Sequence, residues 1–369
     1  MTAIGELPTL GVEEEFLLVD AVTRAPAGAA PLVVKHAQES LGDQVGGELF
    51  PSMIETRSVP ASALADLRAD LARVRTGVTA VAGEIGCRVA ASGTSVVPES
   101  GLLEVSDHSR YRRLAAEYGP LVTGDQGAGV CGCHIHLGVP DRERAVRLGG
   151  HLRPWLPVLQ AVAANSPFHA GRDTGHASWR SLRWAQWPGA GPMPRFTDAA
   201  AYEATVDALV GSGMLLDRRM VYWYARPSES YPTLEVRVAD TNADLDGVIL
   251  LAGLLRGLAA VLLAEDRDGV PVPEVPDPLL LAAHWRAARD GLGGLGFDPV
   301  AGRTVPAVDL VEALIERAGP GLAAAGDLTA VRELWRGVRA RGGGADRQRE
   351  AFRVRGDLRD VVDAVAVVR

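Results

Sequence analysis

The chain has 369 residues and 38.9 kDa, 47% hydrophobic and 23% charged, enough for one large globular domain or two smaller ones. A net charge of −8 and a pI near 5.6 exclude a general nucleic-acid surface. The start, Met1-Thr2-Ala3-Ile4-Gly5-Glu6, lacks the basic and apolar blocks of a signal peptide, and the longest apolar run, Val248 to Ala264, is interrupted by Gly253 and Arg256, so no membrane association is expected.

Residues 8–20 read as a strand. In Gly11-Val12-Glu13-Glu14-Glu15-Phe16-Leu17-Leu18-Val19 the period of two sets Glu13 and Glu15 on one face. Val12, Glu14 and Phe16 fall on the other, the core face, where Glu14 needs a buried arginine as partner. Residues 42–58 read as a strand pair, or one strand bent at Pro51. Next comes a helix: Leu64, Leu67, Leu71, Val74, Val78, Val81 and Ile85 recur at spacings of three and four, ending at Gly86. Residues 88–94 suit a short buried strand.

The strand at 130–139 holds His134 and His136 on one face and Cys133, Ile135 and Leu137 on the other. Cys131 and Cys133 read as buried thiols; with Cys87 they make no disulfide framework, and the cytoplasm is the expected compartment. Asp141 caps a helix running to about Ala164, kinked at Pro154 or Pro157. Residues 168–197 carry Trp179, Trp184 and Trp187 among glycines, prolines and arginines. This long aperiodic connection is either a functional loop or an elaborated surface loop; His169 and His176 within it read as surface residues.

Residues 199–211 are helical, 219–225 and 233–239 are strands, and Leu245 to Ala264 is an apolar helix. In Thr233-Leu234-Glu235-Val236-Arg237-Val238, Glu235 and Arg237 share a face opposite the apolar residues. Beyond Asp266 a Pro-rich stretch, Val270 to Pro278, leads into helices at 279–290, 306–318, 327–341 and 346–367, with a break at Gly342-Gly343-Gly344. The expected organisation is a catalytic domain over residues 1–265. Residues 266–369 form a mainly helical part that packs on it or offers a homodimer surface. The class is α+β, helices around a largely antiparallel sheet.

Three strands thus bring carboxylates and imidazoles to one cleft. At about 4 Å and an effective dielectric near 20, each carboxylate pair costs roughly 4 kcal/mol. Cations relieve this, and oxygen-rich clusters with a histidine suit Mg²⁺ or Mn²⁺. The chain has a single lysine, Lys35, and hence no P-loop and no kinase-type strand lysine. If it handles ATP, metal ions and arginines must hold the phosphates.

The chain resembles the carboxylate–amine ligases of the glutamate–cysteine ligase type 2 family over most of residues 7–265. The resemblance lies in Gly11-Val12-Glu13-Glu14-Glu15-Phe16, Met53-Ile54-Glu55-Thr56-Arg57-Ser58, Cys131-Gly132-Cys133-His134-Ile135-His136, Ala164-Asn165-Ser166-Pro167-Phe168, and Arg226-Pro227-Ser228 leading to Thr233 through Asp240. The family is similar in turn to glutamine synthetase. The resemblance implies a glutamine synthetase-like fold, ATP, two or three Mg²⁺ or Mn²⁺ ions, and ligation of L-glutamate to L-cysteine or another amino acid through an acyl phosphate. It puts Glu13, His134 and Glu235 on the ion nearer the nucleotide, and Glu15, Glu55 and Glu48 on the ion nearer the substrate. It sets His136 on phosphate or a carbonyl and makes Arg237 and Arg226 the phosphoryl-handling cations. Arg57, Tyr111 with Arg110, and Arg180 become candidates for substrate contact. Other readings remain open at this level: a guanidino-type phosphotransferase, a metallohydrolase, or a non-catalytic metal- or nucleotide-binding regulator.

Overall fold

Seven strands form the sheet that carries the acidic residues. They are β1 (Leu10–Asp20), β2 (Val45–Gly47), β3 (Met53–Arg57), β4 (Cys87–Ala90), β5 (Gly132–Gly138), β6 (Ala225–Pro227) and β7 (Thr233–Asp240). A computed structural model describes residues 4–5, 7–98, 104–123 and 129–367. The strand order is β2-β3-β1-β5-β7-β6, with β4 pairing the end of β1, and every pairing is antiparallel. Four helices bear on the site: α1 (Leu64–Glu84), α2 (Trp179–Trp184), α3 (Leu245–Arg267) and α4 (Asp277–Asp290).

Alternation along the strands decides which face is buried. Leu10 and Val12 of β1, Cys133, Ile135 and Leu137 of β5, and Leu234, Val236 and Val238 of β7 join one hydrophobic cluster with Leu64, Leu67 and Leu71 of α1 and most of α3. Helices Ala307–Ala324 and Leu328–Arg341 complete it by packing on α3. The first of them comes so close that a Cβ at Gly321 would overlap the Gly257 carbonyl. Among the described residues α3 is the one helix long and apolar enough to cross a membrane, and 94% of its apolar window is buried inside the fold.

Glu14 finds the expected arginine. Arg75 of α1 donates Nη2 to Oε1 at 2.5 Å and Nε to Oε2 at 2.9 Å, and its remaining donors reach the Asn242 and Ala243 carbonyls at 2.7 and 2.8 Å. Both side chains are buried. A charge on the core face of β1 is tolerated because the fork satisfies both carboxylate oxygens.

Several expected elements differ. The strand expected at 219–225 is a 3₁₀ turn at Arg218–Met220 followed by β6. The Arg219 and Val221 carbonyls accept from the Arg226 guanidinium instead of from a neighbouring strand. The helix begun at Asp141 splits into Arg142–Leu152 and Leu156–Ala163, because Pro154 offers no N–H to continue the ladder. The expected last helix is likewise two, Gly344–Arg355 and Leu358–Ala364. Gly356 at φ 70° ends the first, and Asp357 caps the second. A short hairpin, Leu295–Asp298 with Arg303–Pro306, lies in a stretch given no element from sequence. His169, expected at the surface, is buried. The turn of its hairpin with Arg172–Asp173 donates two backbone N–H groups to the Ser95 and Val96 carbonyls.

Candidate active site

Sheet register assembles the site. Glu13 lies opposite Arg57 on β3 and His134 on β5, Glu15 lies opposite Glu55, and Glu235 lies between His136 on β5 and Arg226 on β6. A register shift between Cys133 and Ile135 marks a bulge in the β5–β7 ladder. The extra residue lies on β7, where three steps from Val236 to Ala239 oppose two on β5; His134 keeps an unbroken register with Glu13 and ends among three carboxylates. Its Nδ1 is 3.6 Å from Glu13 and 3.7 Å from Glu235, and its Nε2 is 4.0 Å from Glu15.

Two groups of ligand atoms result. Glu13, His136 and Glu235 form one and Glu15, Glu48 and Glu55 the other; within each, the atoms lie within 4.8 Å of one another. His134 stands between them. Both its ring nitrogens, and Nε2 of His136, are buried without a hydrogen-bond partner among the described residues. Thr233 Oγ1 holds Nδ1 of His136 at 2.8 Å. Orphaned imidazole nitrogens facing clustered carboxylates fit divalent cations; a hydrogen-bonded structural cluster would not leave them bare. Glu48 arrives from the turn after β2, where the sequence suggested a bend; its Oε2 accepts from the Leu49 N–H at 2.8 Å.

The electrostatics express the crowding. Burial, then the Glu48 charge, hold the Glu15 carboxyl up at about 7. Burial and then Glu13 push Glu55 well above the carboxylate range. For Glu13 burial acts upward too, but the imidazoles of His134 and His136, with ring nitrogens 3.6 and 3.5 Å from its Oε2, outweigh it and hold the group low. Burial, then Arg237, keep His134 neutral far below its usual range. Glu15 and Glu55 thus favour bound protons, which divalent ions would displace.

Arginines flank both groups. Arg237 Nη1 pairs with Glu235, and its guanidinium lies 5.4 Å from the Trp184 ring and 6.0 Å from that of Tyr222. Burial, with Arg226 beside it, lowers Arg237 to about 9, which leaves it charged at neutral pH. Arg226 donates Nε to Glu235 at 3.1 Å and spends Nη1 on two backbone carbonyls, so it orients Glu235. Arg57 pairs with Glu55 and lies 3.6 Å from Glu13. Tyr111 lines the cleft, and Arg110 beside it is fixed by Asp217 at 2.7 and 3.0 Å.

Arg180 is the exception among the expected contacts. It is 2% exposed, lies against Gly132 at the start of β5, and is absent from the cleft wall. Its Nη2 donates to the Arg237 carbonyl at 3.3 Å, Nη1 is 3.9 Å from Asp240, and the guanidinium sits 5.6 Å from Trp184. The Trp-rich segment holds α2, capped by Ser178, whose Trp184 Nε1 donates to the Tyr222 carbonyl at 3.3 Å. Arg219, Glu229 and Tyr231 line the cleft but were not singled out from sequence. They sit on loops around β6 with no periodicity to mark them. Arg219 forms no ion pair among the described residues.

Three connected cavities follow the sheet face. A charged one of about 310 Å³ holds both carboxylate groups, Arg57, Arg226 and Arg237. On one side a mostly apolar cavity of about 210 Å³ is lined by Leu10, Val12, Pro60, Tyr231 and Pro232. On the other, about 170 Å³ lies between Arg110, Tyr111, Arg219 and the rings of Trp184, Trp187 and Tyr222.

Comparison with known proteins agrees with this geometry. Residues 9–364 match the family described as Glutamate-cysteine ligase family 2. A relative in Saccharopolyspora erythraea, "Putative glutamate–cysteine ligase 2-1", is 48% identical over 97% of this chain and 94% of its own. The glutamate–cysteine ligase of Francisella tularensis, solved with AMP, superposes with a TM-score of 0.68 at 12% identity, covering 98% of this chain and 88% of its own. A bifunctional glutathione synthetase from Pasteurella multocida gives 0.69 at 13% identity over 97% of this chain, which spans 52% of that longer one. The fold is thus the glutamine synthetase-like ligase fold that the sequence resemblance implied. By its match over nearly the whole length, the chain belongs to glutamate–cysteine ligase family 2 and is a ligase.

Proposed function

We infer that the protein joins the side-chain carboxylate of an amino acid, L-glutamate, to the amine of L-cysteine or another amino acid, using ATP and an acyl phosphate. The observation that carries this reading is the pair of carboxylate groups, Glu13–His136–Glu235 and Glu15–Glu48–Glu55, on one sheet face beside Arg237. Such a set suits phosphoryl transfer, where positioning and charge neutralisation do most of the work.

Glu13, Glu235 and His134 would hold the ion nearer the nucleotide, and Glu15, Glu48 and Glu55 the one nearer the acid substrate. Bound Mg²⁺ or Mn²⁺ supplies charge neutralisation across the ATP phosphates. The apolar cavity suits the nucleotide base, with Leu10 and Val12 below it and Tyr231 at its edge. Phosphates then extend over Glu13 and His136, and Nε2 of His136 can donate to a phosphate oxygen. Arg237 spans oxygens of the transferring group. The acid's amino-acid carboxylate lies by Arg57, and its side-chain carboxylate faces the phosphorus. An oxygen of that carboxylate attacks the γ-phosphorus and ADP leaves. The amine nitrogen then attacks the acyl carbon, loses a proton, and phosphate departs with the former carboxylate oxygen. The cavity with Arg110 and Arg219 near three aromatic rings suits an acceptor bearing a carboxylate. Three free buried thiols suit a reducing compartment, the cytoplasm.

Glutamate carrying ¹⁸O in its side-chain carboxylate tests the route. With ATP, Mg²⁺ and an amine acceptor, one labelled oxygen should appear in each released phosphate. Amide formed without labelled phosphate overturns the acyl phosphate; phosphate labelled from water indicates a hydrolase, and transfer without free phosphate indicates a phosphotransferase.

A further inference from the structure

The cavity of about 170 Å³ beside the charged one has two unlike parts. Every charged residue of its wall, Glu15, Glu48, Arg110, Arg219 and Arg237, also lines the charged cavity, so these residues form the shared mouth. The inner part belongs to Leu49, Met53, Leu114, Trp184, Trp187 and Tyr222, none of which lines the charged cavity. Its surface is carbon and aromatic ring. Trp184 and Tyr222 lie 4.5 Å apart, and Trp187 meets Tyr222 edge-on at 5.8 Å and 86°. Trp184 spends its Nε1 donor on the Tyr222 carbonyl.

The mouth offers one cation still open to a ligand. Arg57, Arg110, Arg226 and Arg237 each pair with a carboxylate of the protein. Arg219 is exposed and forms no ion pair among the described residues. Its backbone is anchored, because its carbonyl accepts from Arg226 Nη1 at 2.8 Å. A guanidinium so placed can take a carboxylate as a fork. Arg57, assigned to the acid substrate, is absent from this wall, so each substrate carboxylate has its own arginine.

Resting on the ligase reading above, we propose that the acceptor is an α-amino acid with an aromatic side chain. Its ring fills the inner part, its carboxylate sits on Arg219, and its amine stands at the mouth, facing the acyl carbon. An apolar cavity of about 150 Å³ holds benzene, so this one takes a phenyl ring. Cysteine's CH₂–SH leaves most of it unfilled, and the lining forfeits those contacts. A charged side chain finds no partner among the inner residues. The amine nitrogen bonds to the acyl carbon, loses a proton and expels phosphate, and the product is a γ-glutamyl aromatic amino acid.

Hydroxylamine is the control acceptor, because it reaches an acyl phosphate without filling the cavity. With glutamate, ATP and Mg²⁺ it should give γ-glutamyl hydroxamate. L-phenylalanine and L-cysteine are then compared by phosphate release. Phenylalanine should have the higher kcat/KM by at least about a hundredfold, since even one missing methylene in an apolar pocket costs about tenfold or more. Arg219→Gln should lower kcat/KM about tenfold for phenylalanine, but less than about threefold for 2-phenylethylamine, which lacks the carboxylate. Hydroxamate formation with cysteine equal to or better than phenylalanine overturns the proposal and leaves the ligase reading standing. No hydroxamate overturns both. Equal losses for the two phenyl amines in the Gln variant overturn Arg219 as the anchor, and the proposed pose with it.

Discussion

Arg237→Lys keeps a cation but removes the planar fork, and it separates charge from geometry in the phosphoryl-handling role. The wild-type guanidinium is fixed on three sides: Glu235 takes Nη1, and the Trp184 and Tyr222 rings lie 5.4 and 6.0 Å away. Only part of the fork is spent on Glu235, so the remaining N–H groups stay free for phosphate oxygens. An ammonium tethered to Glu235 cannot span two of them. Losing one preorganised donor in a dry site costs about 3 kcal/mol in the transition state, or roughly a hundredfold in rate. The lost ring contact is worth about 1 kcal/mol and acts alike in ground and transition states, so it leaves kcat unchanged. Phosphate release at saturating ATP and amino acids should therefore show kcat down about a hundredfold, with KM for ATP changed by less than about threefold. A lysine enzyme within about threefold of wild-type kcat, or a loss confined to KM, would refute the role and leave Arg237 a structural partner of Glu235.

Glu55→Gln should weaken Mg²⁺ binding without lowering the melting temperature in chelator. The folded site already favours a neutral group there, since burial and Glu13 raise that carboxyl. Wild-type protein at a hundred times Kd of Mg²⁺ should gain about 2.7 kcal/mol, and the variant should lose most of that shift. Full activity of the wild type in excess chelator would contradict the metal assignment. Glu14→Gln should cost about 3–5 kcal/mol of stability, because it strands the buried Arg75 charge; a melting temperature within a degree or two of wild type would mean the Asn242 and Ala243 carbonyls suffice. Gly132→Ala pushes a Cβ into the Arg180 guanidinium and should cost about 1–3 kcal/mol. Adding Arg180→Met should recover part of that cost, and strictly additive losses in a double-mutant cycle would show that the two do not meet.

The period of two decided which side chains share a face. Glu13 with Glu15, His134 with His136, and Glu235 with Arg237 all reach the cleft, as expected from spacing alone, and Glu14 turns inward onto a buried arginine. Spacing is local, and a strand's pleat carries it whatever its neighbours do. Register is not local. That Glu15 faces Glu55 and Glu13 faces Arg57 depends on how β1 slides against β3, which the burial of Phe16 and Ile54 fixes across more than thirty residues of chain. The bulge between Val236 and Ala239, beside Arg237, has no marker in the sequence of β7. Arg180 shows the same limit from the other side. Its Trp-rich connection suggested a substrate contact, but α2 docks through Trp184 and holds the arginine buried, against Asp240 and the Arg237 carbonyl. Helix ends at Pro154 and Gly356 obey local rules, while the partners of Arg57, Arg180 and Arg226 follow from which strands meet. Chemistry of this kind needs groups from distant strands within a few ångströms, and only the assembled sheet supplies that proximity.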